Sequence, residues 1–285
     1  MQRTLAAALL VALSGAAAIA CSGVALVGEA GVVVGANEDN LKTDASMWAT
    51  AATDSRYGAV YFGFHFVNLG GRTPGWYEMQ GVNDRGLFYD LFSIPCGPHD
   101  TAIDPLAGGP QRRAPEAVER TMMETCSTVE EALAFLEAHD YARLVPCVQT
   151  LLVDRAGDAA VYTGEGNVFR KGPALVVTNF NLLHPERGDY PCERYSAASR
   201  LAAWDATATL DRAGQILRAA RFIPEQGEIG GPRYAVACDL VRGIADVYTD
   251  GDFSRRARLD LAPLWQTGLE RVLLADLELA TCDLP

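Results

Sequence analysis

Ala18-Ile19-Ala20-Cys21-Ser22-Gly23 is where a leader sequence ends and a folded protein begins in this 285-residue chain. Ala18-x-Ala20 is the small-x-small triplet after which signal peptidase cuts. A cut there leaves Cys21 first, with a free α-amine beside its own thiol. An α-amine titrates near ~7.7–8.0 and a thiol near ~8.5, so one residue holds a nucleophile and a base. The same boundary also fits the lipid-attachment site of a bacterial lipoprotein, although Ala18 stands where that signal prefers Leu. Lipidation would block both groups of Cys21. A structural cysteine is the third reading.

Upstream, residues 1–20 carry one charge, Arg3, and a run of Ala, Leu, Val and Ile too short and too Ala-rich for a membrane span. They read as a signal peptide, which predicts export to the periplasm or the medium and a single catalytic domain at 21–285. The formal charge of −12 excludes nucleic acid as a partner, because phosphate binding needs a basic surface. Seven cysteines stand at Cys21, Cys96, Cys126, Cys147, Cys192, Cys238 and Cys282. Export permits disulfides, and the odd count predicts up to three bridges beside one free Cys21. No cysteine pair has metal-finger spacing, and His65, His99, His139 and His184 form no ligand cluster, so neither a metal nor another cofactor is expected.

Downstream, Ser22 to Val34 reads as two strands with their turn at Gly28-Glu29-Ala30-Gly31. The return carries Gly35-Ala36-Asn37-Glu38-Asp39 back toward Cys21, which predicts Asp39 beside the α-amine. Tyr57–Val67, Trp76–Gln80 and Phe88–Ile94 follow as strands, the last two joined by a turn at Gly81–Leu87. Pro95–Pro115 reads as a surface excursion covering part of a cleft. Helices are predicted from Pro115-Glu116 to Thr125 and then to Ala138, the second opened by a Ser127–Glu130 capping box. Cys147–Val153 and Ala159–Thr163 form a hairpin, and Ala174–Thr178 delivers Asn179. Helices at Glu193–Trp204 and Leu210–Phe222 precede strands at Tyr234–Asp239 and Ile244–Thr249, with a tail of mixed structure. Many strands broken by two helical blocks suit sheets packed with helix layers.

Three marks in this order, with an acidic-Arg pair after the third as in the ceramidase-like branch, carry a family resemblance. Cys21-Ser22 opens an apolar strand, a Gly-rich return leads into Gly35-Ala36-Asn37-Glu38-Asp39, and Gly81-Val82-Asn83-Asp84-Arg85-Gly86-Leu87 forms a Gly-x-Asn-x-x-Gly-Leu turn. Val176-Val177-Thr178-Asn179-Phe180 ends a strand in Thr-Asn, and Glu193-Arg194 is an acidic-Arg pair opening a helix. Together they resemble the N-terminal-nucleophile cysteine amidases, which include bile salt hydrolases, penicillin V acylases and the acid ceramidase group. The resemblance implies an α+β fold, the αββα sandwich, and hydrolysis of a linear N-acyl amide through an acyl-thioester. It implies that the Cys21 thiolate attacks while its α-amine accepts the proton and then protonates the leaving amine. Asp39 would orient that amine, Asn179 would donate to the oxyanion, and Arg194 would lower the thiol pKa.

The chain departs from the family at two places. Ala36 replaces the motif arginine, leaving Arg194, Arg72 or no residue to compensate. Ser93 stands where bile salt hydrolases and penicillin V acylases place Asn or Tyr near the oxyanion. Trp76 and Phe180, with Ser93, are the expected substrate contacts, and Tyr77, Phe88, Phe92 and Leu182 extend an apolar pocket for a small acyl amide. No stable membrane insertion is expected after signal cleavage. Two rivals remain. One is a lipid-anchored or soluble periplasmic binding or structural protein without amidase activity. The other is acyl transfer to a second amine. A serine enzyme is the poorer reading, because neither Ser22 nor Ser93 has a His and Asp arranged around it.

Overall fold

A computed structural model of the chain describes residues 21–40, 43–66, 75–95, 116–224 and 230–284. The leader, Arg72 and all but the first residue of the Pro95–Pro115 excursion lie outside them. Strands β1 (Ser22–Gly28) and β2 (Gly31–Asn40) form the predicted hairpin, turning on Glu29-Ala30. Next come β3 (Ala45–Thr50), β4 (Ala59–Phe66), β5 (Gly75–Asn83) and β6 (Phe88–Ser93). Helices α1 (Glu116–Thr125), α2 (Val129–Ala138) and the one-turn α3 (Tyr141–Leu144) follow. Four strands come after them: β7 (Val148–Val153), β8 (Ala159–Tyr162), β9 (Asn167–Phe169) and β10 (Ala174–Val177). Helices α4 (Glu193–Trp204) and α5 (Leu210–Ala220) lead into β11 (Gly231–Asp239), β12 (Ile244–Thr249) and β13 (Asp252–Asp260). Helix α6 (Ala262–Thr267), β14 (Leu269–Leu273) and β15 (Ala280–Thr281) complete the described chain.

Two antiparallel sheets stack face to face. The first runs β10-β1-β2-β11-β12-β13-β15 and the second β14-β3-β4-β5-β6-β7-β8-β9. Between them lies one core, with Ala25, Val34, Ala36 and Val236 from the first sheet against Val60, Phe62, Phe92 and Leu151 from the second. On the outside of the second sheet, Met122, Met123, Leu133 and Leu136 of α1 and α2 pack on Tyr61, Tyr89 and Leu152. On the outside of the first, Ala213, Ile216, Leu217 and Ala220 of α5 and Ala198 and Ala202 of α4 pack on Val24, Leu26 and Val33. Alternation along each strand feeds both faces of a sheet, so each sheet needs an apolar layer on either side. The result is an αββα sandwich.

Helix α5 sits close to the hairpin because β2 offers glycine beneath it. A Cβ on Gly35 would lie 2.9 Å from Leu217 Cδ1 and 3.0 Å from the Val236 carbonyl. The last carbonyls of a helix lack intrahelical donors. Here Asn37 Nδ2 donates to the Leu217 carbonyl at 2.9 Å and Ser22 Oγ donates to the Ala220 carbonyl at 3.1 Å. Ser22 at the head of β1 and Asn37 across from it on β2 therefore also stop α5.

Some boundaries move for local reasons. The capping box of α2 lies one residue later than predicted. Thr128 Oγ1 accepts from the Glu131 N–H at 3.2 Å, and Glu131 Oε2 accepts from the Ser127 N–H at 2.7 Å. Asn83 ends β5 and opens a turn shorter than the predicted Gly81–Leu87 one, its carbonyl accepting from the Gly86 N–H at 2.9 Å. Its side chain donates to the Met123 and Cys126 carbonyls and accepts from the Arg85 and Leu87 N–H groups, tying the turn to the C-terminal end of α1. The expectation of three disulfides is corrected. Cys21, Cys126, Cys192, Cys238 and Cys282 are free thiols, which rules out three bridges, and Cys96 lies outside the described residues. No helix among the described residues is long and apolar enough to cross a membrane.

Candidate active site

Strand register assembles this site. The two-residue turn at Glu29-Ala30 pairs Gly23 with Ala36 and Ser22 with Asn37. One step outward, Cys21 faces Glu38. On the other edge of β1, Gly23 pairs with Val177 of β10, so two steps outward Cys21 has Asn179 beside it. Cys21 is thus held between the strand ends that carry the Asn-x-Asp and Thr-Asn motifs, and its side chain joins the core between the sheets.

Arg194 reaches the same point from the first turn of α4. Thr178 Oγ1 lies 3.4 Å from Cys192 Sγ, the side chain that caps α4 by accepting from the Tyr195 N–H, so the helix starts against the end of β10. From there Arg194 Nη1 donates to the Cys21 carbonyl at 2.6 Å, and Nη2 donates to Asn179 Oδ1 at 3.1 Å. The second contact fixes the orientation of the Asn179 amide, since only its oxygen can accept from a guanidinium. Asn179 Nδ2 accordingly donates to the Ser93 carbonyl at 2.8 Å, which leaves its other N–H to point elsewhere.

Asp39 follows Glu38 on β2 and so projects to the opposite face of the sheet. It is buried there and its carboxyl is pushed up to about 7 by desolvation, against the pull of the Arg194 guanidinium and the Phe222 amide. Neither carboxylate oxygen makes a hydrogen bond of normal geometry. Such a group has room for one cationic donor. The Cys21 thiol is held well above its ordinary value, first by burial, then by the negative charges of Glu38, Asp39 and Asp90.

The expected substrate contacts divide. Ser93 stands at the site through its backbone carbonyl, the acceptor for Asn179. Phe180, next to Asn179, is buried in an edge-to-face cluster with Tyr190 and Tyr195, at ring-centre distances of 4.9 and 5.0 Å. Trp76 is corrected: it lies on the outer face of the second sheet, with Trp48 and Arg271, and not toward Cys21. The reason is a bulge. Phe62 pairs with Gln80 but Gly63 pairs with Glu78, so Met79 is an extra residue and alternation reverses beyond it. Gly63 makes the bulge fit, because a Cβ there would lie 1.8 Å from the Tyr77 carbonyl. Tyr77 takes the inward side instead.

Glu38 and Asp90 are the site residues that sequence reasoning missed. Cys21 Sγ donates to Glu38 Oε2 at 3.5 Å, and the Glu38 carboxyl lies near enough to that of Asp90 on β6 for the two to interact across the space between the sheets. Both carboxyls are fully buried. Burial pushes each of them up, and the two disfavour one another's second charge. The signal for Glu38 lay in the hairpin register, which puts residue 38 across from residue 21. Asp90 left no such signal, because its place depends on how the sheets stack. Among the described residues no group of three His, Cys, Asp or Glu is arranged to hold a metal ion.

The architecture has solved counterparts. Penicillin V acylase from Agrobacterium tumefaciens superposes with a TM-score of 0.52 at 17% identity, over 81% of this chain and 83% of its own. A variant of conjugated bile acid hydrolase from Clostridium perfringens superposes with a TM-score of 0.58 at 13% identity, over 93% of this chain and 98% of its own. The αββα sandwich is therefore a fold that this chain shares with both of these enzymes. No family model and no curated protein matches the sequence.

Proposed function

We propose that this protein is an exported N-terminal-nucleophile cysteine amidohydrolase that cleaves a linear N-acyl amide, a small molecule like those named for its structural counterparts. Residues 1–20 are its signal peptide, removed between Ala20 and Cys21, and the protein acts in the periplasm or the medium as the single domain 21–285. The observation that carries this reading is the Arg194 bridge. One guanidinium ties the carbonyl of Cys21 to the amide of Asn179, so the nucleophile and the oxyanion donor are held in one geometry.

The chemistry follows from the side chains. Cys21 sulfur attacks the amide carbonyl, and the oxyanion takes the N–H of Asn179 not engaged by Ser93, a contact worth roughly 2.7–4 kcal/mol in comparable sites. The thiol gives its proton to the carboxylate beside the sulfur, and the freed α-amine, held as a cation by Asp39, protonates the leaving amine. It then takes a proton from the water that hydrolyses the thioester. Trp76 has no part in this reading. Phe180, Tyr190 and Tyr195 offer the apolar wall for an acyl chain. The test is amine release from N-acyl amino acids of graded acyl length, with intact mass measured on the same preparation. A chain starting at unmodified Cys21 that releases amine, and loses that activity as Cys21→Ser or Cys21→Ala, supports the reading. A diacylglyceryl-modified Cys21, or activity unchanged in the Ala variant, removes it in favour of a binding protein.

A further inference from the structure

We propose that Glu38, backed by Asp90, accepts the proton of the Cys21 thiol. The inference rests on Cys21 being the nucleophile, and it concerns the route of one proton. Its geometry is direct. Cys21 Sγ points between the sheets, with Glu38 Oε2 at 3.5 Å and the Asp39 carbonyl at 4.0 Å as its hydrogen-bond acceptors.

The pair is expensive to bury and has no charge partner. Groups facing it come from five elements: Cys21 ahead of β1, Glu38 of β2, Tyr234 of β11, Gln80 of β5 and Asp90 of β6. Asp39 adds its backbone carbonyl and, from the other face, its charge. Phe62 and Phe64 pack on Tyr234 with ring centres 6.3 and 5.3 Å away, closing the chamber with apolar surface. Neither Glu38 nor Asp90 forms an ion pair with a described residue, and Asp90 Oδ1 is satisfied only by its neighbour Leu91 N–H at 2.8 Å. Two dry, neighbouring carboxyls hold at least one proton between them, since two charges there would repel without compensation. In the one-proton state Glu38 Oε2 is free to accept a second. A packed apolar pair would be the cheaper core, so this arrangement fits a group kept for what it does to the thiol beside it.

The step balances. In acylation the S–H bond breaks, the proton passes to Glu38 Oε2, and the sulfur electron pair forms the C–S bond. The leaving amine takes its proton from the α-ammonium of Cys21. In thioester hydrolysis the α-amine takes a proton from water, the C–S bond breaks, and sulfur regains the proton from Glu38. The pair alternates between one proton and two, and no outside donor is needed. Thiol and carboxyl pair then titrate as a unit.

The test needs no substrate, so it can fail while amide hydrolysis stands. Reaction of Cys21 with methyl methanethiosulfonate is followed across pH by peptide mass spectrometry in wild type, Glu38→Gln and Asp90→Asn. Circular dichroism and the thermal midpoint report folding of each variant. The expected result is a wild-type rate that holds level through neutral pH and falls in acid as the pair takes its second proton. Both variants should react about tenfold or more slower than wild type at neutral pH and converge with it in alkali. A wild-type Cys21 that reacts no faster than the variants at neutral pH overturns the proposal, because the pair is then only a repelling neighbour. If both variants unfold, the wild-type profile alone decides: a level neutral limb supports the relay, and a rate rising only in the alkaline range overturns it.

Discussion

Arg194 donates through Nη1 to the carbonyl of Cys21 at 2.6 Å, so the residue at the head of the first strand is gripped from the head of a helix 173 positions away. Its Nη2 holds Asn179 at the same time. A planar fork can serve two acceptors at a fixed spacing, whereas an ammonium is a single point of charge. Arg194→Ala is expected to lower the rate of amide hydrolysis by about a hundredfold, within the range for loss of an oriented oxyanion donor. Arg194→Lys should recover only part of that loss. The comparison to make is kcat against KM in steady-state assays. A lysine variant with full activity would show that only charge is needed.

Asp39 gives the uncut chain a pH-dependent stability. Its carboxyl keeps a proton up to about 7 in the folded protein, while in the unfolded chain it loses that proton near ~3.9. The folded state therefore binds more protons between these values, and stability falls as pH rises through that window, by up to about 4 kcal/mol. Asp39→Asn should remove most of that slope and converge with wild type in acid. Glu38 and Asp90 shift in the same direction, so some slope remains. Urea unfolding at fixed pH steps measures this. A variant as steeply pH-dependent as wild type would place the titration elsewhere.

How much of this was legible follows from range along the chain. The β1–β2 hairpin was readable because its turn is local, and with it the nearness of residues 37–39 to Cys21. The Glu193–Trp204 helix was read to its observed ends because its boundaries are set locally. Trp76 was misread because a bulge between β4 and β5, in the other sheet from Cys21, reverses alternation, and Gly63, which permits it, looks like any strand glycine. The β3 strand and the closing run β13–β15 were missed, since short or charge-rich segments carry weak periodicity. Asp90 was illegible: it meets Glu38 only once two sheets have stacked, and no local pattern records that distance.

Asn83 offers a test of structure separate from chemistry. It is fully buried and makes four hydrogen bonds, two to the end of α1 and two within its turn. Asn83→Ala strands both carbonyls and both N–H groups, each at a cost of about 1–3 kcal/mol where water cannot reach. The expected loss is on the order of 3–5 kcal/mol by denaturant unfolding. Activity per folded molecule should stay near wild type, because no Asn83 contact reaches Cys21, Asn179 or Arg194. Loss of activity without loss of stability would mean that the turn serves the site directly.

Trp76 makes the complementary case, a residue whose sequence setting points to substrate and whose surroundings point to packing. The Arg271 guanidinium lies 4.8 Å from the Trp76 ring centre and 4.8 Å from that of Trp48, a cation held between two rings on the outer face of the second sheet. Each such contact is worth roughly 0.5–1 kcal/mol at an exposed position. Trp76→Ala should therefore lower stability by about 1 kcal/mol and leave kcat/KM within about twofold. Phe180→Ala, beside Asn179, should instead raise KM for long acyl chains more than for short ones. The pair of variants separates the outer face of the second sheet from the surroundings of Asn179. If Trp76→Ala alone changes acyl-chain preference, the substrate runs over the outer face, and the pocket does not lie beside Phe180.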